Sequence, residues 1–224
     1  MNTGKNAQWI GILFLIAMVA SLLGGGLVES VLSTPDVEFR LRASQSLVIA
    51  GTLLELVNAL AVIGIGVLFF PTIKHSSETL ARGYLAIRVV EAVFCSAIAI
   101  SPLSLIAILQ NSSGTGAVEV SQFHTLAALS MAERASVMGL LVPVFFGAGA
   151  LLLYTGLYQS RLLPRFITVW GWVAVVLMLI NNLLLTFQVE IGLGLSIVLV
   201  LPMIANEVFL GIWLIIKGFN STNV

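Results

Sequence analysis

Apolar residues dominate six stretches of the chain, and each stretch is long enough to cross a bilayer. The stretches cover residues 9–32, 47–70, 82–109, 134–158, 164–187 and 191–217. A hydrocarbon core of about 30 Å requires roughly 20 mostly apolar residues in a helix. Lipid offers no partner for backbone polar groups, and no stretch shows the alternation of a barrel strand. The pattern therefore predicts an all-α bundle of six transmembrane helices in one domain, residues 1–224.

Two of the connecting segments also carry a pattern. In residues 121–133, Phe123, Leu126, Ala127 and Met131 recur at helical spacing among polar residues. This spacing predicts an amphipathic helix on the outer surface that leads into the fourth stretch. Residues 33–46 mix acidic and basic side chains, which is typical of a solvated loop or a short surface helix.

Composition supports a membrane protein and excludes one class of partner. Hydrophobic residues make up 59% of the chain and charged residues 9%, against roughly 25% charged in soluble domains; the mean hydropathy is +1.10. Lys and Arg together number 10, as do Asp and Glu, so the formal net charge is zero. Nucleic-acid binding requires a basic surface, so we expect membrane lipids and no nucleic acid as partners.

Basic residues in the connections predict the orientation of the bundle. Short cytoplasmic connections carry an excess of Lys and Arg, and Trp and Tyr collect at membrane interfaces. One side of the predicted bundle has Lys5, Lys74, Arg82, Arg161, Arg165 and Lys217; the other has Arg40, Arg42 and Arg134. The same richer side has Trp9, Trp170, Trp172, Trp213, Tyr84, Tyr154 and Tyr158. Both termini are therefore predicted to be cytoplasmic.

Charged and amide side chains inside the apolar stretches are the candidate functional residues. An unpaired charge at the centre of a membrane helix costs at least about 2.5–3.5 kcal/mol, so such residues turn inward and pair. Arg88 and Glu91 lie three residues apart in the third stretch, and Glu207 lies ten residues before Lys217, at a similar depth. We expect these three to share a buried polar cluster. Its further candidate members are Glu55, Asn58 and Asn206.

The chemistry of this cluster leaves two interpretations open. A guanidinium binds one carboxylate bidentately, so the second carboxylate is left to take a proton, bind a cation or pair elsewhere. In the first interpretation the cluster is a binding site for a small solute or a proton, as in a transporter. In the second it is an ion pair that holds the third and sixth helices together in a structural or accessory subunit. The ligand and the oligomeric state are not predicted by the sequence.

Catalysis has less support than binding. Nucleophilic catalysis requires a Ser or Cys beside a positioned His, whereas His75 and His124 both fall in predicted connections. No helix carries His, Asp or Glu at metal-ligand spacing, so no metal or cofactor is predicted. Cys95, the only cysteine, lies in an apolar stretch and is interpreted as a packing residue.

Three short motifs stand out along the chain: Arg88-Val-Val-Glu91-Ala92, Tyr158-Gln-Ser-Arg161-Leu-Leu-Pro164-Arg165, and Pro202 with Glu207 followed by Gly211-Ile-Trp213-Leu-Ile-Ile-Lys217-Gly218-Phe219. They resemble the bacterial multi-spanning membrane family known as domain of unknown function 4386, over essentially the whole chain. The resemblance implies six membrane helices in the cell inner (plasma) membrane, and it brings no activity, substrate or cofactor. The family's Arg and Glu positions map onto Arg88, Glu91 and Glu207.

Overall fold

The computed structural model describes residues 3–34, 36–111 and 117–220, and the described chain is helical throughout apart from its turns. Its helices are α1 (Thr3–Leu32), α2 (Val37–Ala43), α3 (Gln45–Lys74), α4 (Glu78–Ala97), α5 (Ile100–Asn111), α6 (Ala117–Ser136), α7 (Val142–Ser160), α8 (Arg165–Thr186) and α9 (Leu193–Ile216). Within these residues six helical segments are long and apolar enough to cross a membrane. The predicted all-α fold with six membrane spans is confirmed.

The long helices form a closed ring. Helix α1 packs on α3 and α9, α3 on α4, α4 on α7, α7 on α8, and α8 on α9. Residues near both termini lie at one end of this ring. The Asn6 side chain donates a hydrogen bond to the Leu68 carbonyl (3.0 Å), and the backbone N–H of Asn220 donates one to the Leu162 carbonyl (2.9 Å). We call this the inner end and the opposite one the outer end. That the inner end faces the cytoplasm stays a prediction.

The inner half of the ring is closely packed because small residues let helices approach. Gly11 of α1 meets the backbone of Gly211 in α9, where a side chain on Gly11 would overlap the Gly211 carbonyl. Tyr84 and Tyr154 are buried to about 1% exposure in the core of this half. The prediction that both lie at the membrane interface is therefore wrong, because each tyrosine side chain fills the space between helices instead.

The third span is two helices and not the single one predicted for residues 82–109. Helix α4 ends at Ala97 and α5 begins at Ile100. Pro102 explains the interruption, because proline has no N–H to donate to the carbonyl four residues earlier and its ring crowds that carbonyl. The carbonyl in question belongs to Ile98, and it accepts a hydrogen bond from the Arg134 side chain instead (3.0 Å).

The predicted amphipathic helix is present as α6, although it is no separate surface helix. It continues into α7 through one π-helical turn, Val137–Leu141, next to Pro143, which again lacks an N–H for regular α-helical bonding. Phe123 and Ala127 of α6 are buried together with Leu105 of α5 and Leu41 of α2. Residues 33–46 contain the short helix α2.

The outer half of α9 is the least packed part of the ring. All the buried residues of α9 lie between Met203 and Leu214, whereas residues 193–202 are exposed or only partly buried. The ring is therefore closely packed in its inner half, and at α9 it becomes looser towards the outer end. The cavity described next lies at this transition.

Candidate functional site

A cavity of about 210 Å³ lies inside the ring, between α1, α3, α4, α7 and α9. Most of its wall is apolar, formed by Phe14, Ala17, Met18, Leu22, Val62, Ile65, Val142, Phe146 and Ile204. The polar part of its wall consists of Ser21, Asn58, Arg88, Glu91, Cys95 and Glu207. Three charged residues predicted to cluster, Arg88, Glu91 and Glu207, thus line one cavity.

Arg88 and Glu91 form a buried ion pair. One guanidinium nitrogen of Arg88, Nη1, donates to both carboxylate oxygens of Glu91, at 3.1 and 2.8 Å. Arg88 is 4% exposed and Glu91 2%, so each neutralises the other in a region of low dielectric constant. The guanidinium also lies over the Tyr84 ring, 5.9 Å from its centre. Both members belong to α4, so this pair does not join two helices.

Two glycines allow neighbouring helices to close around Arg88. A Cβ atom on Gly66 of α3 would lie 3.0 Å from the Arg88 Cβ, and one on Gly149 of α7 would lie 3.5 Å from the Arg88 Cδ. Because these positions have no side chain, α3 and α7 fit closely against the aliphatic part of Arg88. The guanidinium is thereby held at the cavity wall.

Two polar groups in or beside the cavity lack a direct partner within the described residues. In the part of the chain that the structure describes, the buried Nε of Arg88 has no hydrogen-bond partner. Glu207 makes no hydrogen bond or ion pair with any described residue, although it interacts electrostatically with both Arg88 and Glu91, and it is partly exposed to the cavity. One guanidinium thus faces two carboxylates, one of which lacks a direct partner.

Glu55 belongs to a different cluster, which corrects the prediction that it joins Arg88. Its carboxylate binds Arg134, with Arg134 Nη1 at 3.1 Å from Glu55 Oε2 and Nη2 bonded to Oε1. Arg134 also donates to Glu29 (3.2 Å) and to the Ile98 carbonyl (3.0 Å). This guanidinium ties together α1, α3 and α6 with the break between α4 and α5. Arg134, Glu55, Glu29 and Ile98 are called the outer cluster below.

Arg134 is an interior residue, which the sequence does not predict. The sequence pattern places it in the outer connection, but it is only 2% exposed, so the two sides of the bundle differ by six basic residues against two. Two signals could have found it. Glu29 and Glu55 are acidic residues inside apolar stretches that have no basic partner nearby in sequence, and Pro102 frees a carbonyl that needs a donor.

The two predicted asparagines are separated as well. Asn58 lines the cavity. Asn206 is fully buried away from it, where it accepts a hydrogen bond from the Tyr154 hydroxyl (2.5 Å) and donates one to the Ile167 carbonyl (3.1 Å). Asn206 therefore links α7, α8 and α9 and belongs to the packed inner half. The prediction that it shares a cluster with Arg88 is wrong, because its side-chain amide forms hydrogen bonds with the Tyr154 hydroxyl and the Ile167 carbonyl instead.

Histidine, cysteine and metal ligands give the site no further chemistry. His75 and His124 are both exposed and line no part of the cavity. Cys95 is a buried free thiol at the cavity wall. Among the described residues, no group of three or more His, Cys, Asp or Glu is arranged to hold a metal ion. The geometry supports binding, because Glu207 can accept a proton or a cationic donor.

Comparison with known protein families identifies a match. The model of a family described as a domain of unknown function (DUF4386) matches residues 9–218, which include the cavity and the outer cluster. No curated protein and no solved structure matches the chain.

Proposed function

The chain belongs to the DUF4386 family, whose description assigns no activity, and from the site alone we propose that this multi-pass membrane protein binds a small solute or a proton in its cavity and carries it across the membrane. The observation that supports this proposal most directly concerns Glu207. Its carboxylate lies at the cavity wall beside the Arg88–Glu91 pair and has no direct partner among the described residues. The host membrane we propose is the bacterial inner membrane, with both termini cytoplasmic.

Charge balance supports this proposal. A carboxylate in a site of low dielectric constant needs a counter-charge, a hydrogen-bond donor or a proton. The Arg88 guanidinium already binds Glu91, so Glu207 is the group that can take up and release a proton or a cationic ligand. Ionisable residues inside membrane segments often mark such pathways in transporters and pumps.

Packing supports transport as well as binding. The ring is closed by glycine contacts in its inner half and looser around the outer half of α9. Alternating access requires a site between two such regions, with one open while the other is closed. The cavity lies between them, so this arrangement corresponds to a site that is closed towards the inner end.

A structural or accessory subunit without transport is the alternative. It is favoured by the outer cluster, where Arg134 joins four segments by direct hydrogen bonds. The cavity residues fit it less well, because Arg88 pairs within its own helix and Glu207 has no salt bridge to α4. An intramembrane enzyme could use Glu91 and Glu207 as general acid and base, but no observation at the cavity indicates a substrate for them.

The test is a flux assay on reconstituted protein with Glu207→Gln. Liposomes containing a pH-sensitive dye are given a proton gradient and a membrane potential, with and without a panel of amines, amino acids and sugars. We expect the wild type to release the gradient, alone or with one class of solute, and Glu207→Gln to lose this flux because an amide cannot ionise. Glu78→Gln is the matched control, since Glu78 pairs with Lys74 and Arg82 on the exposed inner surface.

The opposite outcome is equally clear. If the folded wild type and Glu207→Gln show the same flux with every solute and with none, the transport proposal is overturned. A normal cellular effect of the combined variant Arg88→Met with Glu91→Gln would then support the accessory alternative.

A further inference from the structure

We propose that the ligand of the cavity is a small amphipathic amine, whose ammonium group binds Glu207 and whose hydrocarbon part lies against the apolar wall. This inference deepens the proposed function and rests on it. It is carried by three features of the cavity: its charge, the composition of its wall and the position of its opening.

The charge of the cavity favours a cation. With Glu91 and Glu207 both ionised, the wall carries two negative charges and the single positive charge of Arg88. Arg88 Nη1 is already bonded to both Glu91 oxygens, so one negative charge is left over at Glu207. An ammonium group supplies this charge and up to three hydrogen-bond donors. A carboxylate ligand would instead add a third negative charge.

The rest of the wall favours a hydrocarbon body. Phe14, Met18, Ile65, Phe146 and Ile204 face the cavity, and burial of apolar surface stabilises a complex by about 25 cal/mol per Å². A sugar or another fully polar solute would lose its hydration against these side chains without replacement hydrogen bonds. Arg88, Glu91 and Glu207 interact electrostatically at this wall, so an amphipathic molecule can place its charged group beside them and its hydrocarbon part against the apolar side chains.

The opening of the cavity lies on the side of the bundle. Ser21 and Leu22 line the cavity and are also exposed, Leu22 to 60%. They lie ten or more residues from either end of α1, which is about 15 Å along the helix axis. A molecule can therefore enter from within the bilayer, where an amphipathic amine accumulates and a polar solute does not.

The test compares three probes of the same shape: hexylamine, 1-hexanol and hexanoate. The reporter is a single cysteine at the opening, Ser21→Cys in a Cys95→Ala background, and the measurement is its rate of reaction with a membrane-permeant thiol reagent in liposomes. We expect hexylamine to protect the cysteine at about tenfold lower concentration than hexanol, since a close charge pair contributes about this factor. Hexanoate should protect least.

Variants separate binding at Glu207 from general effects on the bilayer. Glu207→Gln should remove the advantage of hexylamine over hexanol, and the surface control Glu78→Gln should retain it. A second measurement needs no substitution at the opening: hexylamine should raise the unfolding temperature of the wild type more than hexanol does. If the cysteine variant does not fold, this measurement decides whether the cavity binds the amine better than the alcohol.

The failure of this inference is distinguishable from failure of the proposed function. Equal or better protection by hexanol or hexanoate overturns the amine but leaves the cavity as a binding site. Absence of protection by all three probes, together with flux that depends on Glu207, also overturns the amine alone. Absence of protection together with absence of such flux overturns both.

Discussion

The two carboxylates at the cavity differ in what binds them, and this difference separates stability from function. Glu91 receives two hydrogen bonds from Arg88, whereas Glu207 has no direct partner among the described residues. A buried charge that loses its partner is strongly destabilising, whereas a carboxylate that has no partner already costs free energy. Removing the partner of Glu91 and neutralising Glu207 should therefore have opposite effects on stability.

Arg88→Met should destabilise the protein because it leaves the Glu91 carboxylate buried without a counter-ion. We expect a loss of about 3–5 kcal/mol in the free energy of unfolding, measured by SDS titration in mixed micelles. Glu91→Gln in the same chain should recover most of the loss. Arg82→Met is the control, since its ion pair with Glu78 is exposed and such pairs contribute little. A harmless Arg88→Met would contradict the interpretation.

Glu207→Gln should leave stability unchanged or raise it while abolishing flux. The neutral amide costs less to bury than an unpaired carboxylate, and functional sites often reduce stability in this way. The same unfolding titration measures the effect, next to the liposome assay. A destabilisation comparable to that of Arg88→Met would instead indicate that Glu207 has a structural role.

At the scale of elements, proline and arginine act together at the break in the third span. Pro102 leaves the Ile98 carbonyl without its helical donor, and Arg134 supplies one. Pro102→Ala would return an N–H to that carbonyl. The cost of Arg134→Gln should therefore be smaller by about 1 kcal/mol in the Pro102→Ala background. A double-mutant cycle of unfolding free energies measures this coupling, and strictly additive costs would contradict it.

Helix α1 contains three consecutive glycines, residues 24–26. One of them packs against α3, and another has free space around it. A Cβ atom on Gly24 would lie 2.8 Å from the Gly51 carbonyl oxygen of α3, whereas one on Gly26 would meet nothing within 4 Å. Gly24→Ala should therefore lower the free energy of unfolding by about 1–3 kcal/mol. Gly26→Ala should be neutral or slightly stabilising, because alanine favours helix more than glycine does. Equal effects of the two substitutions would show that α1 and α3 do not approach as described.

At the scale of the molecule, the sequence predicts the spans well and the pairing of charges only in part. Span length depends on local hydrophobicity, which is readable along the chain. Arg88 and Glu91 are three residues apart, so their pairing is local too. The Arg134–Glu55 pair joins positions 79 residues apart, and Asn206 finds Tyr154, 52 residues away. Such partners depend on how the helices are arranged in the ring, which hydropathy does not encode.

Orientation of the ring is the prediction that belongs to this scale. With Cys95 replaced by Ala, single cysteines can be placed at Ser76, an exposed residue in the inner turn, and at Glu190, an exposed residue in the outer turn. In intact cells a membrane-impermeant maleimide should label Glu190→Cys. Ser76→Cys should react only after the cells are permeabilised, because the basic inner end is expected in the cytoplasm. The reverse pattern would contradict the orientation.

Helix α4 carries its own counter-ion, and this bears on how the protein can move. The guanidinium and the carboxylate belong to the same helix, so they stay together when that helix tilts or rotates. No salt bridge in the protein interior has to break during such a motion. Arg134 is fastened to several segments at once and would resist the same displacement. A tilt of α4 would therefore keep its ion pair intact, whereas a displacement at the outer cluster would break the hydrogen bonds of Arg134.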